Sequence, residues 1–566
     1  MPTVYRSRFP DLEIQSVDLV SFLFSNPYDT PLDKPLYIDA TTGEQYTFGD
    51  VKRRIRSLSN GLRQRIGVKP NDVVALFSPN SIDYAIICHA LIGSRATVAP
   101  TSAALTSAEL NAQLQISGAR FIIVHSSLLE TARKATKGTS VEKVIQIDGQ
   151  APVNDIPTCN YLASTFDPAE LLTITPAKAK HQPAFICFSS GTSGAAKGVV
   201  ITHQNLTSNS QQYRHHVIES GLPDQRPKRN PAIAFLPFSH IYGLSVFLCQ
   251  YLVWGKTVVV MPRFDLDLFL HCIEKYRPDE LSIVPPIALA LVKDPRIAKY
   301  DLSSVSRIMS AAAPLTAELA VALEARFMDL FKTEVFVTQS LGLTEASPVV
   351  TTFPSDRMDK RRSGVGSIVP NLQLRFVDPE TMKDAAVKAD GCTEAAEIWC
   401  CGPNVVSGYY KNEKATKESF IVDEEGKTWF RTGDIGTIDK DGFVSIQDRI
   451  KEMIKYKGVQ VIPNELEGKL VDHPDVEDAA VTGVWVDAMA TELPVGFVVL
   501  TRQANERNQK VVIAEIAQWL NERVANHKRL RGGIHVLSQI PKSPSGKILR
   551  RQLRESLKSK TPKARL

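Results

Sequence analysis

Short apolar runs of strand length recur through the first third of this chain, each followed by a different texture. Val73–Phe77 precedes a helical pattern over residues 82–91, Phe121–Val124 precedes another over 128–137, and residues 185–188 precede a Gly-rich loop. A run of four or five consecutive apolar residues leaves no polar face for water, so it belongs inside a sheet that is covered on both sides. The alternation therefore predicts α/β layers with mostly parallel sheets. Later the texture changes: residues 397–400, 429–431 and 436–439 are short strand-like pieces separated by Gly, Asn and Asp turns, as in a β-rich subdomain. Beyond Asp448, Val476–Val486 and residues 494–500 read as strands and 511–527 as an amphipathic helix, enough for a small α+β unit of about 120 residues. The expected organisation is a large N-terminal domain over 1–447 and a small C-terminal domain over 448–566.

With 566 residues, 43% hydrophobic and 23% charged, the chain can bury a large core, which excludes disorder and disulfide miniproteins. Its net charge of +6 is uneven. Residues 527–566 hold twelve Lys and Arg against one acid, Glu555, a local +11, so the other 526 residues carry −5. A body of that sign does not offer nucleic acid a basic surface. The eight cysteines form no C-x-x-C pair and read as reduced, mostly buried thiols; Cys400 and Cys401 should point to opposite faces of a strand. The first residues, Met1-Pro2-Thr3-Val4-Tyr5-Arg6, lack the apolar core of a secretory signal. The most apolar stretch, 241–254, is too short to span a bilayer and reads as a buried helix.

The chemistry is densest in Phe185-Ile-Cys-Phe-Ser-Ser-Gly-Thr-Ser-Gly-Ala-Ala-Lys-Gly-Val199. An apolar strand runs into a loop of hydroxyls and glycines closed by one lysine. Glycines let backbone N–H groups turn toward an anion, hydroxyls add donors, and lysine adds charge, so the loop suits a polyphosphate. It is not a Walker A loop, because the Gly191, Gly194, Lys197 and Gly198 spacing differs and no hydroxyl follows the lysine.

Residues 189–198 match throughout the signature loop of the adenylate-forming superfamily, and six further motifs follow in that superfamily's order. They are Leu236-Pro-Phe-Ser-His-Ile-Tyr-Gly243, Ser310-Ala-Ala-Ala-Pro-Leu315, Gly342-Leu-Thr-Glu345, Trp429-Phe-Arg-Thr-Gly-Asp434, Asp448-Arg449 with Lys455-Tyr-Lys-Gly458, and Pro541-Lys-Ser-Pro-Ser-Gly-Lys547. The chain thus resembles acyl-CoA synthetases, luciferases and adenylation domains. Tyr5-Arg-Ser-Arg-Phe-Pro-Asp11 and His240-Ile-Tyr242 look most like the 4-coumarate-CoA ligase-like branch.

The resemblance implies a ligase that uses ATP, Mg²⁺ and coenzyme A on a carboxylic acid. Ser189, Ser190, Gly191, Thr192, Ser193 and Lys197 would cradle the β- and γ-phosphates; Thr344 and Glu345 would serve the α-phosphate and the metal. Gln339 and Ser340 would border the nucleotide, and Asp434 would take the ribose hydroxyls, as a carboxylate can accept both bonds of a cis-diol. Arg449 resembles a second ribose or phosphate contact, and Lys547 the mobile lysine between α-phosphate and substrate carboxylate. Asp448 falls at the hinge, Lys457 and Gly458 by the CoA tunnel, and Lys451 and Lys455 near the acyl-AMP. His240 resembles the gate between acyl pocket and thiol tunnel, in a positioning role.

By the same carry-over the acyl pocket comprises Tyr242, Val246, Ala312, Ala313, Gln339, Gly342, Pro348 and Val349. These are small or apolar except Tyr242 and Gln339, which suits an aromatic or medium-chain aliphatic monocarboxylic acid better than a diacid. The chain departs from the pattern at Ala311, where a glycine is usual, and at Gln339-Ser-Leu-Gly342, which lacks the aromatic that commonly stacks on adenine and leaves Leu341 to cover it. Ala311 and Ser340 add atoms, so a narrower pocket is expected. Ala564-Arg565-Leu566 is a small-basic-leucine variant of the peroxisomal address, implying a peroxisomal import receptor as partner. A stand-alone enzyme loading a carrier protein and a luciferase-type monooxygenase share these motifs. A non-catalytic nucleotide-binding scaffold would not need Lys547 and Glu345, both of which are present.

Overall fold

The computed structural model describes residues 2–149, 157–189, 196–219, 229–354, 364–450, 452–456, 459–486, 489, 491–543 and 546–560. Two compact units make up the chain: one holds Val4–Leu374 and Trp399–Arg431, the other Met1–Thr3, Arg375–Ile398 and Thr432–Leu566.

In the first unit the expected apolar strands form a six-stranded sheet. In spatial order it runs Lys143–Gln146, Phe121–Val124, Val73–Phe77, Thr97–Thr101, Pro183–Ser189 and Lys197–Thr202. Every neighbour is parallel except the last pair, a hairpin. Helix Ser107–Ser117 starts on a Thr106/Glu109 capping box and ends at Gly118, whose φ of 61° suits glycine. Its Leu110 and Leu114 pack on Val73, Ala75, Phe77, Ile122 and Ile186. Each such fully buried side chain contributes roughly 1.5–3 kcal/mol.

A second parallel sheet comprises Glu280–Ile283, Arg307–Ser310 and Phe336–Gln339. Its strands end at Ser310 and Gln339, just where the 311–315 and 340–349 segments begin. Loops at the carboxyl ends of parallel strands are where such sheets place ligands. The stretch 241–254 is helical as expected, but as three joined pieces. Ile241–Gly243 and Tyr251–Val253 flank Leu244–Gln250, which is wound as a π-helix, a form that concentrates at functional sites.

In the second unit the long strands Val476–Val486 and Thr491–Leu500 pair antiparallel, with Ile534–Val536 added in parallel. Side chains alternate across this sheet. Val481 and Val498 face a cluster with Leu466, Leu470, Val512, Ile516 and Leu520, while Ala480 and Phe497 face Ile540 and Leu553. The helix expected over 511–527 starts at Gln509 and stops at Asn521, because its apolar side ends at Leu520. The separate pieces 429–431 and 436–439 turn out to be parts of one strand, Thr428–Ile438; Gly433 and Gly436 are accommodated inside it.

Six of the eight cysteines are buried and all are free; Cys400 is buried and Cys401 half-buried, as strand alternation requires. Among the described residues no helix is long and apolar enough to cross a membrane.

Candidate active site

The polyphosphate loop hangs on the hairpin that closes the six-stranded sheet. Ser189 stands opposite Lys197, so both ends of the loop are held in register. Residues 190–195, with Ser190, Gly191, Thr192 and Ser193, lie outside the described residues, as do Lys451, Lys457, Gly458 and the terminal Ala564, Arg565 and Leu566. Ser189 Oγ is buried with no hydrogen-bond partner among the described residues. An orphan hydroxyl there costs free energy unless something else accepts or donates to it, and a phosphate oxygen would serve.

At the other end of the loop Lys197 Nζ lies 4.7 Å from the centroid of the Tyr409 ring. The Tyr409 hydroxyl donates to Glu345 Oε1 at 3.1 Å. Burial, helped by the Glu345 charge, pushes the Tyr409 phenol well above its ordinary value, so it stays a donor at neutral pH. Tyr409 is brought here by a bridge to Val199 and by Tyr410 N–H donating to the Gly198 carbonyl at 2.7 Å. A cation and a carboxylate are thereby joined through one aromatic ring. Tyr409 escaped the sequence reading because nothing in its local pattern links it to a loop some two hundred residues earlier.

Glu345 sits in a one-turn helix, Thr344–Ala346, and is 9% exposed. The turn closes on itself through Leu343 N–H to the Pro348 carbonyl at 3.0 Å, and Val406 N–H donates to the Glu345 carbonyl at 2.9 Å. Oε2 of Glu345 has no partner among the described residues, and no cluster of three metal-ligating side chains occurs among them. One free carboxylate oxygen suits Mg²⁺, which is usually held by one or two carboxylates together with substrate phosphates and water.

The expected acyl-pocket residues all belong to this unit. His240 Nδ1 accepts from Tyr242 N–H at 3.3 Å and caps the 241–243 turn; burial pushes its imidazole down to about 4, so it is neutral at physiological pH. Tyr242 donates to the Met309 carbonyl at 3.4 Å, and Val246 is buried in the π-helix. Gln339 Oε1 accepts from Leu315 N–H at 2.8 Å and so pins the 311–315 loop that carries Ala312 and Ala313. Gly342 pairs with Val349 beside Pro348; a Cβ at Gly342 would lie 3.3 Å from the Pro348 carbonyl oxygen.

The residue in the left-handed region is Ala312, with φ of 72°, and not Ala311. The extra methyl of Ala311 therefore meets no backbone strain. Ser340 turns its hydroxyl onto Thr352 Oγ1 at 2.8 Å.

The second unit holds the other expected residues. Asp434, 4% exposed, accepts from Arg449 Nε on Oδ1 at 2.7 Å, while its Oδ2 is buried with no partner among the described residues. That half-satisfied carboxylate fits a ribose hydroxyl, which would donate to the free oxygen. Thr432 Oγ accepts from Asp434 N–H at 3.0 Å and donates to the Ile398 carbonyl, fixing the strand at this point.

Lys547 follows Gly546, whose φ of 79° makes the turn in which Ser543 N–H donates to the Lys547 carbonyl at 2.8 Å. Its Nζ lies 3.8 Å from Glu452 Oε1. Burial, reinforced by the like charge of Arg449, lowers the Lys547 pKa. Glu452 also takes Arg550 Nε at 3.0 Å, and Arg550 continues to Glu467 and to the Val481 carbonyl. Neither Glu452 nor Arg550 was expected from the sequence; each is one charge among many there.

Asp448 is buried at 1% exposure, opposite Ile435, and its carboxylate accepts from Arg449 N–H at 2.7 Å and Asn464 N–H at 3.4 Å. Burial pushes it up to about 7. Lys455 is exposed; its backbone N–H donates to Glu492.

Comparison with known proteins agrees with these parts. The sequence profile of the AMP-binding enzyme family matches residues 23–410, and that of the AMP-binding enzyme C-terminal domain matches 465–547. The chain is 34% identical to a probable 4-coumarate–CoA ligase 2 of Dictyostelium discoideum, covering 97% of each chain. It is 35% identical to 4-coumarate–CoA ligase 1 of Petroselinum crispum, over 98% of this chain and 97% of that one. Its fold is that of a benzoate CoA ligase from Burkholderia xenovorans LB400, with a TM-score of 0.79 at 22% identity, covering 95% and 99% of the two chains. With an N-terminal match that takes in the Lys197–Tyr409–Glu345 chain and a C-terminal match that ends on Lys547, this protein belongs to the AMP-binding enzyme family.

Proposed function

We propose that the protein is an ATP-dependent acyl-CoA ligase of the AMP-forming kind, acting on an aromatic or medium-chain aliphatic monocarboxylic acid. A carboxylate oxygen attacks the α-phosphate of ATP, the bond to the β-phosphate bridge breaks, and pyrophosphate leaves with the acyl-AMP behind. The CoA sulfur then attacks the acyl carbonyl, and AMP departs with the bonding pair.

The observation that carries this reading is Asp434. One of its oxygens is held by Arg449 and the other is buried with no partner among the described residues, in the same unit as a largely desolvated Lys547 whose only ion-pair partner among the described residues is Glu452. A ribose fits the first, and a developing negative charge on the α-phosphate calls for the second. Ser189 and Lys197, with Ser190, Gly191, Thr192 and Ser193, would hold the outer phosphates, and Thr344 the α-phosphate. Mg²⁺, held by Glu345, would neutralise phosphate charge as pyrophosphate leaves. His240, neutral in its buried setting, orients the acyl group and transfers no proton.

Gln339, Tyr242, Val246, Ala312, Ala313, Gly342, Pro348 and Val349 would line the acyl pocket. The two relatives named 4-coumarate–CoA ligases favour an aromatic acid. Asp448 would be the hinge that lets residues 448–566 serve both half-reactions, with Lys451, Lys455, Lys457 and Gly458 used in the second. Ala564-Arg565-Leu566 would direct the protein to peroxisomes through an import receptor; loss of Leu566 should leave it cytosolic with unchanged activity.

The deciding experiment is carboxylate-dependent ATP–pyrophosphate exchange across a panel of acids, repeated with CoA. Exchange together with thioester is expected. Exchange without consumption of CoA would point to carrier loading, and no exchange with any acid would remove the enzymatic reading.

A further inference from the structure

Helix His203–Arg214, which leaves the phosphate hairpin through a Thr202/Asn205 capping box, reads His-Gln-Asn-Leu-Thr-Ser-Asn-Ser-Gln-Gln-Tyr-Arg, yet nearly all of it is buried. A polar helix in a core is costly unless each polar group has a partner. His203 accepts from Leu19 N–H, Asn205 donates to the Pro403 and Val405 carbonyls, and Asn209 reaches the backbone of the segment that carries Glu345.

Asn209, fully buried, reads both sides of one peptide position: Nδ2 donates to the Val349 carbonyl at 2.9 Å and Oδ1 accepts from Val349 N–H at 3.1 Å. Asn404, also fully buried, donates to the Ala346 carbonyl at 2.8 Å and to that of Val349 at 3.3 Å. Its Oδ1 accepts from Gln212 Nε2 at 3.1 Å, which ties the second amide back to the same helix. Two amides from two parts of the chain thus meet at Val349, just after the self-closing 343–348 turn, and Asn404 also holds Ala346 within it. The same turn meets the loop again through Glu345, Tyr409 and Lys197.

We propose that Asn209 and Asn404 are positioning residues: they form an amide clamp that holds the 344–349 turn against the helix leaving the phosphate loop, and so set where the Glu345 carboxylate stands. This rests on the assignment of Glu345 to the metal. An apolar side chain could fill the same space but could not fix the turn's backbone at two points, which explains why amides occupy core positions. The buried Asn80 is a natural comparator, since it grips another segment in the same two-sided way, donating to the Leu236 carbonyl at 2.9 Å and accepting from Phe238 N–H at 2.8 Å.

The test uses the full chain in four forms: wild type, Asn209→Ala, Asn80→Ala and Glu345→Gln. Hydrogen exchange is read on the free protein at 346–350 and at 236–240, and the Mg²⁺ concentration for half-maximal pyrophosphate exchange is read alongside. In Asn209→Ala the Val349 amide should exchange about tenfold faster while 236–240 is unaffected, and Asn80→Ala should show the reverse. The Mg²⁺ requirement should rise about fivefold or more in Asn209→Ala and in Glu345→Gln, and stay at the wild-type level in Asn80→Ala. Wild-type exchange at 346–350 in Asn209→Ala, or faster exchange with an unchanged Mg²⁺ requirement, overturns the clamp. An unchanged requirement in Glu345→Gln instead overturns the metal assignment, and the exchange data alone then decide whether the clamp exists. If Asn209→Ala does not fold, Asn209→Asp keeps the acceptor and volume, loses the donor, and is read by the same two measurements.

Discussion

In the proposed reaction single side chains divide the two half-reactions between them. Lys547 is the clearest case, since its ammonium is largely desolvated and pairs with Glu452. Lys547→Ala is expected to abolish acyl-AMP formation while leaving thioester formation from supplied acyl-AMP largely intact; equal loss of both would exclude this role. Tyr409 offers a finer test, because its ring and its hydroxyl do separate things. Tyr409→Phe keeps the ring under Lys197 and removes only the donor to Glu345, a charge-assisted bond of about 1.5–3 kcal/mol. Roughly a tenfold or greater fall in pyrophosphate exchange is expected, with little change in melting temperature. The proposed roles of Lys197, Asp434 and Lys547 were legible because their motifs are local. Those of Tyr409, Asn209 and Asn404 were not, since an amide or phenol acquires a role only from what it faces.

Among the elements, the 236–243 turn shows how backbone contact overrides local propensity. Gly243 has helical φ and ψ of −62° and −43°, where alanine is the better residue by about 1 kcal/mol. Yet a Cβ at Gly243 would come within 2.3 Å of the Pro237 carbonyl oxygen and 2.9 Å of that of Leu236. Neither neighbour is a flexible side-chain end, so the turn must open. Gly243→Ala is expected to destabilise by about 1–3 kcal/mol and to displace His240; a melting temperature equal to wild type would contradict it. Helix His203–Arg214 makes the complementary point. It is hydrophilic along its length yet buried, and the amides of Asn205 and Asn209 are matched by backbone groups far away in the chain.

For the whole molecule, the buried ionisable groups make stability depend on pH in opposing ways. Asp448 titrates near 7 in the fold against 3.8 for an ordinary aspartate, so between these values the folded protein binds the extra proton. Its contribution is fully present below about pH 4 and is lost as pH rises through about 7. Half-buried His240, pushed down to about 4 by desolvation, acts in the other direction: its contribution is present above about pH 6.5 and is lost as pH falls through 4. Asp448→Asn should therefore gain stability relative to wild type as pH rises from 4 to 7, with the gain levelling off above 7. Melting curves of the two proteins across that range will show it, and a pH-independent difference would mean that Asp448 is not held protonated by the fold.

The sequence by itself determined the α/β layering, the strand and helix positions near the phosphate loop, and the kind of chemistry, because each depends on residues adjacent in the chain. Apolar runs must be covered, and a loop of glycines and hydroxyls ending in lysine invites phosphate wherever it lies. Only the tertiary structure decided which groups complete that chemistry. It set Tyr409 between Lys197 and Glu345, left one buried oxygen of Asp434 with no partner among the described residues, and put Asn209 of a polar helix on the backbone of Val349. The physical reason is that a hydrogen bond or ion pair is fixed by distances of about 3 Å in space, and the chain records no such distance between residues far apart along it.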